Sequence, residues 1–420
     1  MARQFPFVIL GIVTGAALTV GAVRLPVLAT DAAARVSGKS GEYRALELFG
    51  AAFEQVRQNY VEVPDEKKLI ENAINGMVAG LDNSFYLDGK AANRGRVCLS
   101  GSCSLAEIGI RFKIEDGLPK VITVIDDSPA AKAGLLTGDV ITDVNDYSLD
   151  GLTAYQVLGR LDGEAGTTVK LGIARPGQDR PIHTSMVRDH ITARSVYGDA
   201  EVGDIGYIRI VQFNENTAEE LKNTINAIAA KIPPEKLKGY VVDLRNNPGG
   251  LLEGAVAATD AFLARGDVVG IGGRNASQAK RIHADGNSLS KGKPVVVLIN
   301  GGSASTAEVV AAALQDNHRA TLVGTRTFGA GSVATELQLG HGQGVLRLAT
   351  RQYFTPAGRM IEGQGIAPDI EVAQDLPDNL KPKSRPPANK PVLQSYIPSD
   401  PSADKARNKA YALLRGANAN

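Results

Sequence analysis

The chain has 420 residues, more than one compact core usually holds, so two or three domains are expected. Its 46 basic residues nearly cancel its 45 acidic ones, which removes the broad positive field that nucleic acid would need and leaves it an unlikely class of partner. Five scattered histidines and two cysteines show no metal-ligand spacing, so neither a metal nor another cofactor is expected. At the amino terminus Arg3 precedes an uncharged apolar run from Phe5 to Val23, followed by small residues around Ala29 to Ala34. Residues 1–30 read as a signal peptide or an uncleaved membrane anchor, and either one implies export to a periplasmic or cell-envelope location. Anchoring at the inner membrane would run through residues 5–23, which are long enough to span a bilayer.

From residue 43 to about 90 two amphipathic stripes follow, Leu46, Phe49, Phe53, Val56 and Tyr60, then Leu69, Ile70, Ile74, Met77, Val78 and Leu81, which predict an amino-terminal helical region. Cys98 and Cys103 stand in the polar loop "VCLSGSC", where they form a short-range disulfide in an oxidising compartment or remain two free thiols. Residues 104–190 turn to short alternating strands and turns, a small β-rich domain. Within it "SPAAKAGLLTGDVITDVND" resembles the helix, turn and strand of a PDZ domain. That resemblance places the carboxylate-binding loop at Leu105 to Ile110, with Leu105, Ile108, Gly109 and Ile110 as the peptide-binding residues, and implies capture of a chain end by strand addition. Glu107 stands where the family has an apolar residue or glycine, and its charge would repel an incoming carboxylate.

Residues 200–372 alternate strand and helix patterns, and the continuous apolar run Val295 to Ile299 suits a strand buried on both faces of a largely parallel sheet. After Val372 the chain becomes proline-rich and ends in a short helix containing Leu413 and Leu414, so 373–420 read as linker and terminal helix. The fold class is therefore α/β multidomain, an α/β core with an inserted β-rich domain.

The chemistry is concentrated in "KPVVVLINGGSASTAEVVAAALQD", where a buried strand ends at Asn300, small residues make a tight turn and a helix starts near Thr306. Ser305 would stand at the helix N-terminus, where unpaired N–H groups and the helix dipole favour developing negative charge. The same spacing also fits Ser303 or Ser305 as a simple N-cap.

Together, "GYIRIVQFNENT", "KLKGYVVDLRNNPGGLL", "VLINGGSASTAEVVAAALQD", "GTRTFGAGSV" and "RQYFTPAGRMIEGQGIAPDIEV" resemble the carboxyl-terminal processing peptidases, also called tail-specific proteases. The resemblance implies an exported serine peptidase that recognises polypeptide carboxyl termini and cleaves with a serine-lysine dyad supported by a glutamine. It places the nucleophile on Ser305 and the oxyanion donors on the N–H groups of Thr306 and of Gly249 or Gly250. It places the base lysine at Ala330 and the glutamine at Ala334. Alanine cannot accept a proton, and a serine hydroxyl needs a neighbouring base. No lysine lies between Lys293 and Lys381, and Arg326 stays charged, so no slip of alignment restores the dyad. His318 and His341 are the two nearby residues that could form a serine-histidine pair instead. The leading expectation is a catalytically impaired peptidase that still binds chain ends. The alternatives are an active peptidase with another base and an envelope scaffold or adaptor, each compatible with an oligomer.

Overall fold

A computed structural model describes residues 30–416 apart from 79–80, 82–83, 90–105, 126–127, 179, 191–194, 275–278, 341–342, 378–380, 382–393 and 399. The apolar run 5–23, Leu105, both cysteines and His341 lie outside the described residues. Among the described residues no helix is long and apolar enough to cross a membrane.

The chain divides into two compact units at Ala73/Ile74. The first holds helix α1 (Thr30–Asn59) and the start of α2 (Glu66–Val78). Helix α1 begins earlier than the apolar stripe suggested, and its Leu46, Phe49 and Val56 are exposed.

In the second unit the first strand is β1 (Phe85–Leu87), which follows the last stripe residue, Leu81, yet falls within the predicted 43–90 helical region. Three residues are too short to show a period of their own, and their state is set by antiparallel pairing with a strand far along the chain. The β-rich domain follows: β2 (Ile110–Glu115), β3 (Leu118–Val124), the short α3 (Pro129–Lys132), β4 (Val140–Val144), β5 (Tyr147–Ser148), α4 (Ala154–Leu161), β6 (Thr168–Ala174) and β7 (Ile182–Val187). Its sheet runs β2-β3-β4-β6-β7, with β5 on β4 and β2 at the edge. Alternation puts Val121, Ile141, Val169, Leu171 and Ile173 into one core, covered by Val157 and Leu161 of α4. Thr153 starts α4 with a capping box closed by Gln156.

The core domain contains β8 (Val196–Glu201), β9 (Ile205–Ile210), α5 (Thr217–Lys231), β10 (Gly239–Asp243), α6 (Leu252–Asp260), β11 (Asp267–Gly273), β12 (Lys280–His283), β13 (Val295–Ile299), α7 (Thr306–Asp316), β14 (Ala320–Gly324), β15 (Ser332–Leu339), β16 (Gly344–Phe354), β17 (Ile370–Glu371) and α8 (Lys405–Leu414). A six-stranded sheet runs β17-β14-β13-β10-β9-β8, parallel except for β8. Every residue of β13 is buried, as its unbroken apolar run predicts. Val295, Val297 and Ile299 face a core shared with α5, α6 and α7, while Val296 and Leu298 face Ala406, Ala410 and Leu414 of α8. A second sheet orders β1-β16-β11-β12, with β15 paired to β16. This arrangement sends the chain from the end of β13 straight into α7, and from β14 through a loop into β15.

Candidate active site

The turn from β13 to α7 is braced by side chains. Asn300 Oδ1 accepts from the Gly302 N–H at 3.0 Å and the Asn246 N–H at 2.9 Å, and Ser303 Oγ donates to Leu244 O at 2.8 Å. Ser303 is fully buried, so it belongs to the brace. Ser305 is half-buried and lines a cavity of about 380 Å3. Its backbone has φ 56° and ψ −121°, a region that costs a residue with a Cβ about 1–3 kcal/mol and that clusters at functional sites. The turn thereby presents the side chain at the start of α7, whose first N–H groups have no partner within the helix.

Glu308, one turn along α7, is fully buried. Its carboxylate accepts from the Ser305 N–H at 2.9 Å, the Ala330 N–H at 2.8 Å, the Gly329 N–H at 2.8 Å and the Thr327 hydroxyl at 2.5 Å. Burial pushes Glu308 up to about 7, against the pull of these four donors. The carboxylate therefore holds the loop bearing Ala330 beside Ser305. Gly363 N–H to Gly329 O at 2.9 Å and Phe328 N–H to Ser303 O at 3.0 Å pin the same loop from the other side.

Ala330 lines the cavity with Ser305. Ala334 lies in β15, paired to Ala349 of β16, and is not among the residues lining the cavity. His318 follows the far end of α7, about 16 Å of helix away from Ser305, too far to take its proton.

The "NNPGG" turn approaches the helix N-terminus closely. A Cβ on Gly249, whose φ is 94°, would meet Ser305 Cβ and Thr306 N at 2.8 Å, so only glycine fits. The Gly249 N–H itself donates to Asn247 Oδ1 at 2.8 Å. Gly250, at φ 139°, is exposed on the cavity wall.

The remaining wall comes from the β-rich domain. Arg111, Phe112, Lys113 and Ile114 of the edge strand β2 line the cavity together with Ser305, Phe328 and Ala330. Thr123 Oγ1 donates to Asn246 O at 3.0 Å and docks that domain on the core. Ile108 and Ile110 are buried in the domain's own core, and Gly109 takes φ 85° at the entry to β2. The Glu107 carboxylate is paired with Arg111 Nη1 at 2.7 Å, which answers part of the repulsion expected from its charge. Next to this pair, burial pushes Asp162 up to about 6, with the Glu107 charge adding to the effect and Arg111 and Arg188 opposing it. Among the described residues no cluster of histidine, cysteine and carboxylate side chains could hold a metal.

Two of these features escaped the sequence reading. Glu308 had a legible signal, the Ser-x-x-Glu spacing of a capping box at Ser305. Lys113 had none, because it belongs to another domain and reaches the cavity only through docking.

Comparison with known proteins agrees with this architecture. A profile of peptidase family S41 matches residues 204–372, a PDZ domain profile matches 106–186, and one for the activating protease CtpB N-terminal domain matches 16–91. A carboxy-terminal-processing protease of Bartonella bacilliformis is 43% identical over 432 aligned positions, covering 99% of this chain and 96% of the relative. The carboxy-terminal processing protease CtpA of Bacillus subtilis is 34% identical, covering 82% of this chain and 72% of its own. Among solved structures, the photosystem II D1 C-terminal processing protease superposes with a TM-score of 0.65 at 28% identity, covering 78% of this chain and 92% of that one. With a serine at the strained start of α7, a glycine turn against it and a PDZ domain along its cleft, the chain belongs to the carboxy-terminal processing protease family of S41 serine peptidases.

Proposed function

We propose that this protein is an exported member of the family that binds the carboxyl ends of polypeptides and in which activation of Ser305 through the family's lysine position is lost. The observation that carries this reading is Ala330: it lines the Ser305 cavity, held there by Glu308, and offers no proton acceptor. Binding elements are retained. The edge strand β2 can accept an extended chain, and the cleft beside it leads to Ser305. The oxyanion donors are the N–H groups of Thr306 and Gly250; Gly249 is assigned the close-approach role, since its N–H is taken by Asn247. With the tetrahedral oxyanion still stabilised but the proton transfer at positions 330 and 334 gone, turnover falls by about 10^4 to 10^6 and does not vanish.

The test is cleavage of an unstructured polypeptide with an apolar carboxyl end by the full chain, by Ser305→Ala, and by the double variant Ala330→Lys/Ala334→Gln. The double variant is expected to cut about 10^4-fold faster than the unaltered chain, with Ser305→Ala inert. An unaltered chain as fast as the double variant overturns the reading.

A further inference from the structure

We propose that Lys113, from the edge strand of the PDZ domain, is the residue that takes the proton of Ser305 in the turnover that remains. The inference rests on the reading that positions 330 and 334 supply no base. Of the polar side chains lining the cavity besides Ser305, Arg111 stays charged and Gln212 and Ser332 are too weakly basic to take a proton, which leaves Lys113 and Glu362 as candidate acceptors. Lys113 Nζ reaches across the cleft to stand 5.4 Å from the ring centroid of Phe328, two residues before Ala330. The ammonium therefore already sits over the loop where the family's lysine is rooted, and it arrives from the opposite wall.

Its surroundings set the conditions for this role. On its own strand Lys113 faces Glu115, whose Oε2 lies 2.9 Å from Nζ, and Arg111; from β3 Lys120 shares Glu115 at 2.6 Å; across the cleft stands Glu362. Burial opposes the charge of Glu115, yet its bonds to Lys120 and Lys113 prevail and hold it at about 2, so Glu115 is an anion at every working pH. An amine acts as base only once it has lost a proton. In the step itself the neutral Nζ accepts the Oγ proton while Oγ bonds to the scissile carbonyl carbon and the carbonyl π pair moves to oxygen. The ammonium then protonates the leaving nitrogen as the C–N bond breaks, and water completes the cycle by the same route, releasing the acyl group as an acid and returning Ser305.

The experiment measures cleavage of the same unstructured substrate by the full chain from pH 6 to 10. Lys113→Arg keeps the charge, the length and the contact with Phe328 but cannot deprotonate, and it is expected to lower the rate at least 100-fold, as Lys113→Ala does. The unaltered rate is expected to climb with pH and Lys113→Arg to flatten that climb, a change of profile that a purely structural role for Lys113 does not produce. Lys113→Arg cutting at the unaltered rate overturns the proposal, as does an unaltered chain that stays inert up to pH 10. Both results leave the reading of Ala330 standing. That reading fails separately, if the Ala330→Lys/Ala334→Gln variant is no faster than the unaltered chain.

Discussion

Glu308 shows how one buried carboxylate fixes the loop bearing Ala330 beside Ser305. In a dyad the lysine and serine could hold each other, but here the carboxylate of Glu308 ties the Ser305 and Ala330 backbones together. Its folded-state value is raised, from 4.5 to about 7, so the folded protein holds a proton that the unfolded chain gives up earlier. The Glu308 contribution to stability is therefore fully present below about pH 4.5 and declines as pH rises towards about 7, by up to about 3 kcal/mol. Glu308→Gln lacks this dependence, so its destabilisation is expected to be larger at pH 5 than at pH 8, which denaturant midpoints at the two values will measure. A cost that grows with pH contradicts the sign. At this scale the placing of Ser305 at the start of a helix was legible, because it lies between an apolar strand and a helix of continuous sequence. That Asn247 takes the Gly249 N–H was not legible, since side-chain direction in a turn leaves no period to read.

Local elements followed from local patterns. The unbroken run of β13 and the alanine-rich helix after it were readable because each is buried by what its own residues are. β1 was unreadable for the opposite reason, being three residues whose strand state comes from β16. Helix α8 lies between these cases: its apolar residues marked it as a helix, but its anchor is a buried ion pair between residues far apart. Arg245 Nη1 donates to Asp404 Oδ1 at 2.9 Å while Arg245 also binds Asp243, and both acids are almost fully buried. Asp404 in addition caps α8 by accepting from the Arg407 N–H at 3.1 Å. Removing one partner of such a pair leaves charge buried without compensation. Asp404→Ala is expected to cost about 3 kcal/mol, at the low end for a buried pair because Asp243 still faces Arg245. The measurement is chemical denaturation combined with limited proteolysis, in which the tail beyond residue 394 should become the first site cut; an unchanged midpoint would show that α8 is held by its apolar face alone.

Within the second unit, the PDZ domain and the turn that carries Ser305 meet at a hydrogen-bonded junction. Thr123 Oγ1 donates to Asn246 O at 3.0 Å, and the Thr137 N–H donates to Ser395 Oγ at 3.1 Å. Asn246 and the Ser395 backbone carbonyl both bind Asn300, at 2.9 Å and 3.2 Å, the residue that opens the turn to Ser305. The segment around residue 395, reached through the proline-rich stretch, thus links domain position to the geometry of the turn, although nothing in its composition distinguishes it from a linker. Each of the two docking bonds is worth about 0.5–1.5 kcal/mol, so Thr123→Val together with Ser395→Ala removes about 1–3 kcal/mol of docking without touching either core. Amide exchange at residues 300–305 is then expected to speed up by about 5- to 150-fold, the factor by which that free energy raises local opening, while β4, β6 and β10 exchange as before. Uniform acceleration across both domains would mean that the variant lowers global stability and that the junction is not a separate cooperative unit. If the acceleration is local and the residual cleavage falls with it, the loss follows from geometry: Lys113 lines the Ser305 cavity only while the domain that carries it is docked.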